Sequence, residues 1–218
     1  IIDGGQNGPV VRIQDNEFSV LNGFTITNGS SSNGGGLYIT NADCALKNLK
    51  FNNNSASGLG GGVFLSQSEA DLEGLTFDGN SADNGGGIYL ETSEIEIDKA
   101  VFLNNSGDFG GAMYVASSGN SVISNSTFAK NTASIQCGGI YVDGDIDVVN
   151  TILWNDDTED ITVSNVGLVN VNYSNIQGGW QGSNNIDTDP LFCSIGNNDL
   201  TLYDHSPCIG IGEGGATI

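Results

Sequence analysis

Residues 61–65 read Gly-Gly-Val-Phe-Leu, and the stretch before them opens with Phe51-Asn52-Asn53-Asn54. Both patterns recur. The first returns as Gly35-Gly36-Leu37-Tyr38-Ile39, Gly86-Gly87-Ile88-Tyr89-Leu90, Gly111-Ala112-Met113-Tyr114-Val115 and Gly138-Gly139-Ile140-Tyr141-Val142. The second returns in phase as Phe77-Asp78-Gly79-Asn80, Phe102-Leu103-Asn104-Asn105 and Phe128-Ala129-Lys130-Asn131, with Ile152 through Asn155 as a weaker copy. A repeat of roughly 25 residues with period-2 hydrophobicity, broken by Gly, Asn and Ser, has the size of one coil of a stacked β-structure. A propeller blade needs about 40 residues or more. The expected fold is therefore all-β: one right-handed parallel β-helix of roughly eight coils, each with three short strands and three turns.

Stacking gives each repeated residue a physical task. Tight corners need positive φ and close backbone approach, which accounts for the glycines. Phe51, Phe77, Phe102 and Phe128 are expected to stack in the core. Asn54, Asn80, Asn105, Asn131 and Asn155 are expected to form an amide ladder that satisfies turn backbone groups from coil to coil. Regular coils should span residues 1–155, irregular final coils 156–186, and a cap 187–218. Without that cap the last coil would be an open edge strand. Together these form one continuous domain, expected to be part of a longer protein.

The chain of 218 residues carries 26 acidic residues against five Lys plus Arg, for a net charge of −21. That balance leaves nothing to neutralise phosphates, so nucleic acid and anionic membranes are excluded as partners. No apolar run reaches the ~18 residues of a bilayer span. A monomer is expected. Of the four cysteines, Cys44 and Cys137 lie three coils apart, about 14 Å along the axis and too far to bridge. Cys193 and Cys208 are expected to pair, which would fit an exported protein; the alternative is four buried thiols.

The Gly-Gly and Phe-x-x-Asn motifs look like those of chlamydial polymorphic membrane proteins, which are autotransporter adhesins. Over nearly its whole length the chain resembles right-handed parallel β-helix proteins of environmental bacteria. That likeness is carried by Ile1-Ile2-Asp3-Gly4, Leu21 through Ile26, Tyr173 through Trp180, Asn185 through Phe192 and Ser206-Pro207-Cys208-Ile209. The resemblance implies the pectate-lyase-like superfold and an exported, surface-attached protein. It implies no particular activity.

Candidate chemistry lies in what varies between the repeats. Glu69, Asp71 and Glu73 should stand outward and stack on Glu94, Glu96 and Asp98 at ~4.8 Å, with Asp143, Asp145 and Asp147 continuing the theme. Such columns suit Ca²⁺ or a ligand; a solvated acidic face is the alternative. The run from Asp143 mimics an EF-hand start, but Trp154 stands where the bidentate Glu belongs. Lysis of acidic polysaccharide needs basic residues, and Lys47 is better placed as the ion-pair partner of Glu73. A two-carboxylate hydrolase would draw on Asp156, Asp157, Glu159 and Asp160, close in sequence to Trp154. Trp154 and Trp180 are the candidate sugar-stacking residues. The expected function is a non-catalytic surface solenoid that binds glycan or protein, with Ca²⁺ assistance as an option. A carbohydrate-active enzyme is the alternative.

Overall fold

A computed structural model describes residues 1–15, 18–119, 121–154, 156 and 159–218, without the side chains of residues 117 and 118. Its coils form a parallel β-solenoid of about seven turns. None of the helices in the described residues is long and apolar enough to cross a membrane.

Three sheets run the length of the stack. In the phenylalanine sheet, Ile26, Phe51, Phe77, Phe102, Phe128, Leu153 and Ile176 fall in one register column. The aromatic sheet aligns Arg12, Tyr38, Phe64, Tyr89, Tyr114, Tyr141 and Thr162. In the acidic sheet, Glu69–Glu73 lies between Cys44–Lys47 and the second half of the strand Ile88–Asp98. Each coil also has a fourth, narrower wall, formed by Ser30–Asn33, Ser55–Leu59, Ser106–Phe109 and Thr132–Gln136 with bridges at Ser81 and Asn84. The coil therefore has four sides, where hydrophobic alternation suggested three. The fourth wall is mostly small and polar residues, with Ala56 and Ala133 turned inward but Leu59, Phe109 and Ile135 out of step with any alternation, so periodicity could not show it.

Left-handed backbone marks the corners. Asn53, Gly79, Asn104 and Lys130 turn from the phenylalanine sheet into the narrow wall, and Gly60, Gly85, Gly110 and Cys137 turn out of it. Asn41, Gln67 and Thr92 lead into the acidic sheet, and Asn48, Gly74, Lys99 and Asn125 lead out. The Gly-Gly pairs expected to hold these conformations follow the corner instead. Their need for glycine is steric, because a Cβ on Gly86 would lie 2.3 Å from the Ser106 carbonyl oxygen.

The core is a continuous apolar column that includes Leu37, Leu65, Leu90, Val115 and Val142. Phe51, Phe77, Phe102 and Phe128 stack within it at 5.0, 4.7 and 4.4 Å between centroids, all fully buried. A second, smaller core lies under the cap, where Ile152, Cys208 and Ile218 pack with Trp154, Phe192, Leu202 and Ile211. The antiparallel pair Phe192–Ser194 and Asp199–Leu202 closes this end. Lys130 ties it to the coils by donating to Asn198 at 2.7 Å.

Candidate functional site

Inside the coils, the asparagines use their amides fully. The Asn80 Oδ1 accepts from the Asn54 backbone N–H and side-chain amide, both at 3.0 Å. Its Nδ2 donates to the Phe51 carbonyl at 2.8 Å and to Asn105 Oδ1 at 2.9 Å. Asn105 and Asn131 repeat the arrangement. Register places Leu153, rather than Ile152, opposite Phe128, so the motif's fifth copy runs from Leu153 to Asp156. The next rung is accordingly Asp156, whose Oδ1 accepts from the Asn131 backbone N–H at 2.7 Å and its Nδ2 at 2.9 Å. Asn155, the expected rung, and Asp157 lie outside the described residues.

On the outside, two faces carry distinctive groups. The aromatic column stacks ring on ring at 5.1, 5.8, 5.0 and 5.0 Å from Tyr38 to Tyr141, with the Arg12 guanidinium 4.5 Å above Tyr38. The faces of these rings are spent on one another, so the column presents edges and offers no stacking platform to a sugar. Burial raises the phenol pKa of Tyr89, and in Tyr114 burial is reinforced by a hydrogen bond to Asp143.

The acidic sheet pairs Glu69 with Glu94, Asp71 with Glu96 and Glu73 with Asp98 in register. Lys47 meets Glu73 at 3.0 Å, and Lys99 meets Asp98 at 2.6 Å. Among the described residues no cation pairs with Glu69, Asp71, Glu94 or Glu96, and no three acidic, histidine or cysteine side chains are grouped to hold a metal ion. The column then breaks, since Val122 stands between Glu96 and Asp147. Asp143 does not belong to it. Asp143 sits at the corner before this sheet and accepts the Tyr114 hydroxyl, while Asp145 and Asp147 lie on the strand Asp145–Val149. A shallow cleft of about 430 Å³ between Lys47, Glu73, Glu96 and Asn125 crosses the face.

The carboxylates near residue 156 gather at the end of the stack. Asp160 is 5% exposed, and its Oδ2 accepts the Gln177 backbone N–H at 2.9 Å. Burial pushes its pKa up to about 7, with the charge of Asp187 adding to the effect against the backbone N–H groups of Gln177 and Asp156. Glu159 is exposed and accepts the Thr162 hydroxyl at 2.7 Å. Glu159, Asp160 and Trp180 line one cleft of about 350 Å³, and Trp180 also borders a larger one of about 630 Å³ along Val169 to Asn172. Proximity in sequence suggested Trp154 as the tryptophan of this cluster. The structure supplies Trp180 in its place, while Trp154 packs into the core under the cap. Trp180 comes from a turn just beyond the strand Asn175–Ile176, the last of the phenylalanine sheet, so only the return of the chain over the end coil brings it here.

All four cysteines are free, including Cys193 and Cys208, which were expected to pair. Cys208 is fully buried in the second core, where its sulfur accepts the Asn175 amide at 3.1 Å, and Cys193 is half-buried on the neighbouring hairpin.

Comparison with curated proteins and with solved structures gives no match. The family model of a right handed beta helix region matches residues 1–153, most of the chain, and the protein belongs to that family.

Proposed function

We propose that the protein is a non-catalytic binding module of the bacterial cell surface or extracellular space, adhesive or structural in role. The observation that supports this reading is the repeating arrangement of its outer faces. Charged and polar groups stand there in columns fixed by coil register, so they meet a ligand along a surface and do not converge on one reacting bond. The acidic sheet is the ligand face. Glu69, Asp71, Glu94 and Glu96 repel one another across ~4.8 Å rungs without a cation to offset them, a cost that a basic protein segment or a Ca²⁺-bridged glycan would relieve. The free thiols remove the disulfide argument for export, so the surface location rests on the acid-rich composition and the family resemblance.

A glycan array and a panel of basic peptides, each probed with Ca²⁺ and with EDTA, test the reading. Binding should fall at least tenfold in the double variant Glu94→Gln, Glu96→Gln. Equal binding by parent and variant would overturn the acidic sheet as the ligand face.

One observation favours a second reading, a carbohydrate-active enzyme of this fold. Asp160 titrates near neutrality in a cleft that it shares with Glu159 and Trp180, as an acid and its partner would. Cleavage of a polysaccharide that disappears in Asp160→Asn would establish this reading instead.

A further inference from the structure

Every rung of the internal ladder from Asn54 to Asn131 is an amide, and the one that ends it is an acid. An amide suits this place because it both accepts and donates, and it carries no charge. Asp156 can only accept if it is ionised. Its Oδ1 takes both Asn131 donors, and its Oδ2 is sealed from solvent without a hydrogen-bond partner, although the residue as a whole keeps some exposure. That oxygen lies 3.2 Å from where a Cβ on Gly139 would stand, over the backbone of the preceding turn.

Among the described residues, the surroundings hold no counter-charge. Asp160 follows on the same turn, with Glu159 at the cleft mouth and Asp187 facing from the segment beyond Gln177. From the neighbouring coil come Asn131, Gly139 and the Cys137 thiol, whose sulfur lies 3.7 Å from the Asp160 carbonyl oxygen. Burial pushes that thiol to about 12, so it stays neutral. Lys130, at the corner just before Asn131, directs its ammonium to Asn198 and the Ile195 carbonyl.

We propose that this junction is a pH-responsive latch. With Asp156 neutral, the ladder closes onto the final coil; its ionisation, coupled to that of Asp160, loosens the final coil and cap from the regular stack. Burial holds the Asp156 carboxyl well above its ordinary range, the charge of Asp160 adds to this, and the Asn131 donors oppose it. Both acids bind protons more tightly in the folded junction than in the unfolded chain. The stabilisation from Asp160 is therefore full below about pH 4 and is lost as the pH rises through about 7. That from Asp156 is lost in the same direction as the pH rises through its raised value, opposite to the usual loss at acid pH.

Backbone hydrogen exchange of the full chain at pH 5 and pH 8, corrected for intrinsic exchange, tests the latch. Protection of the Asn131 and Gln177 amides should fall at least about tenfold more than that of Asn54, in the same ladder three coils away. In Asp156→Asn the extra fall should shrink to within about twofold, while Glu96→Gln, with the same change of charge, should retain it. An equal fall at Asn131 and Asn54, or its persistence in Asp156→Asn, would overturn the latch. Should Asp156→Asn fail to fold, carboxyl ¹³C titration of the parent decides. Asp156 must titrate above the ordinary carboxylate range, and titration within that range overturns the proposal.

Discussion

Replacing Asn80 by Ala removes one rung from the middle of the ladder. The Asn54 backbone N–H, whose partner is Asn80 Oδ1, is left buried and unpaired. Such an orphaned donor costs about 1–3 kcal/mol. Three further bonds vanish, from Asn54 Nδ2, to Phe51 O and to Asn105 Oδ1, at about 1 kcal/mol each. Those partners keep other bonds: Asn54 Nδ2 still reaches Ile26 O, and Asn105 Oδ1 still accepts the backbone N–H of residue 80. The expected loss is therefore on the order of 4–6 kcal/mol. Asn53→Ala is the internal control, since Asn53 is exposed and contributes mainly its tolerance of positive φ at 54°, for roughly 1 kcal/mol. A solenoid can unfold coil by coil, so urea midpoints should be read beside exchange of the Asn54 amide. If Asn80→Ala loses no more stability than Asn53→Ala, the ladder is not what holds the coils in register.

Two other outcomes follow from the packing. In the native protein only Cys193 should react with an aromatic disulfide reagent at pH 8, because burial seals Cys208 and pushes the thiols of Cys44 and Cys137 to about 12. Reaction of all four without denaturant would refute the buried placement, and reaction of none would indicate that Cys193 is oxidised. The five Asn-Gly pairs, at Asn7, Asn22, Asn28, Asn33 and Asn84, should resist deamidation while folded. In each, the glycine nitrogen that must attack the side chain is donating, for example Gly23 to Lys47 O at 3.0 Å and Gly85 to Phe109 O at 3.0 Å. Peptide mapping after incubation at pH 8 should show far slower conversion in the native chain than in its proteolytic peptides; equal rates would contradict the hydrogen bonding.

The regular coils are legible in the sequence because stacking repeats one physical demand at a fixed interval. Phe77 must meet Phe51 and Phe102, and Asn80 must meet Asn54 and Asn105, so period alone places them. What the period does not govern is harder to read. The narrow fourth wall hides because small and polar residues dominate it, and its few large apolar ones keep no regular alternation. The Asp156 rung hides because an acid stands where the motif has Asn, and Leu153 where it has Phe, so residue type points one position too early while register fixes the rung at Asp156. The end of the stack resists most. Trp180 comes to line a cleft with Asp160, and Trp154 goes under the cap, through a chain return that no local pattern encodes. The acidic columns lie between these cases: alternation marks Glu69 to Glu73 and Glu94 to Asp98 as outward, and only register shows that Val122 ends the run.

The central functional claim is that this chain binds along its faces and transforms nothing. Its most direct test is prolonged incubation of the purified chain with a panel of neutral and acidic polysaccharides, with and without Ca²⁺, followed by quantification of new reducing ends and unsaturated products. The account predicts none above the buffer control. Cleavage products that rise with protein concentration and vanish in Asp160→Asn would contradict it, and would move the functional site to the cleft beside Trp180.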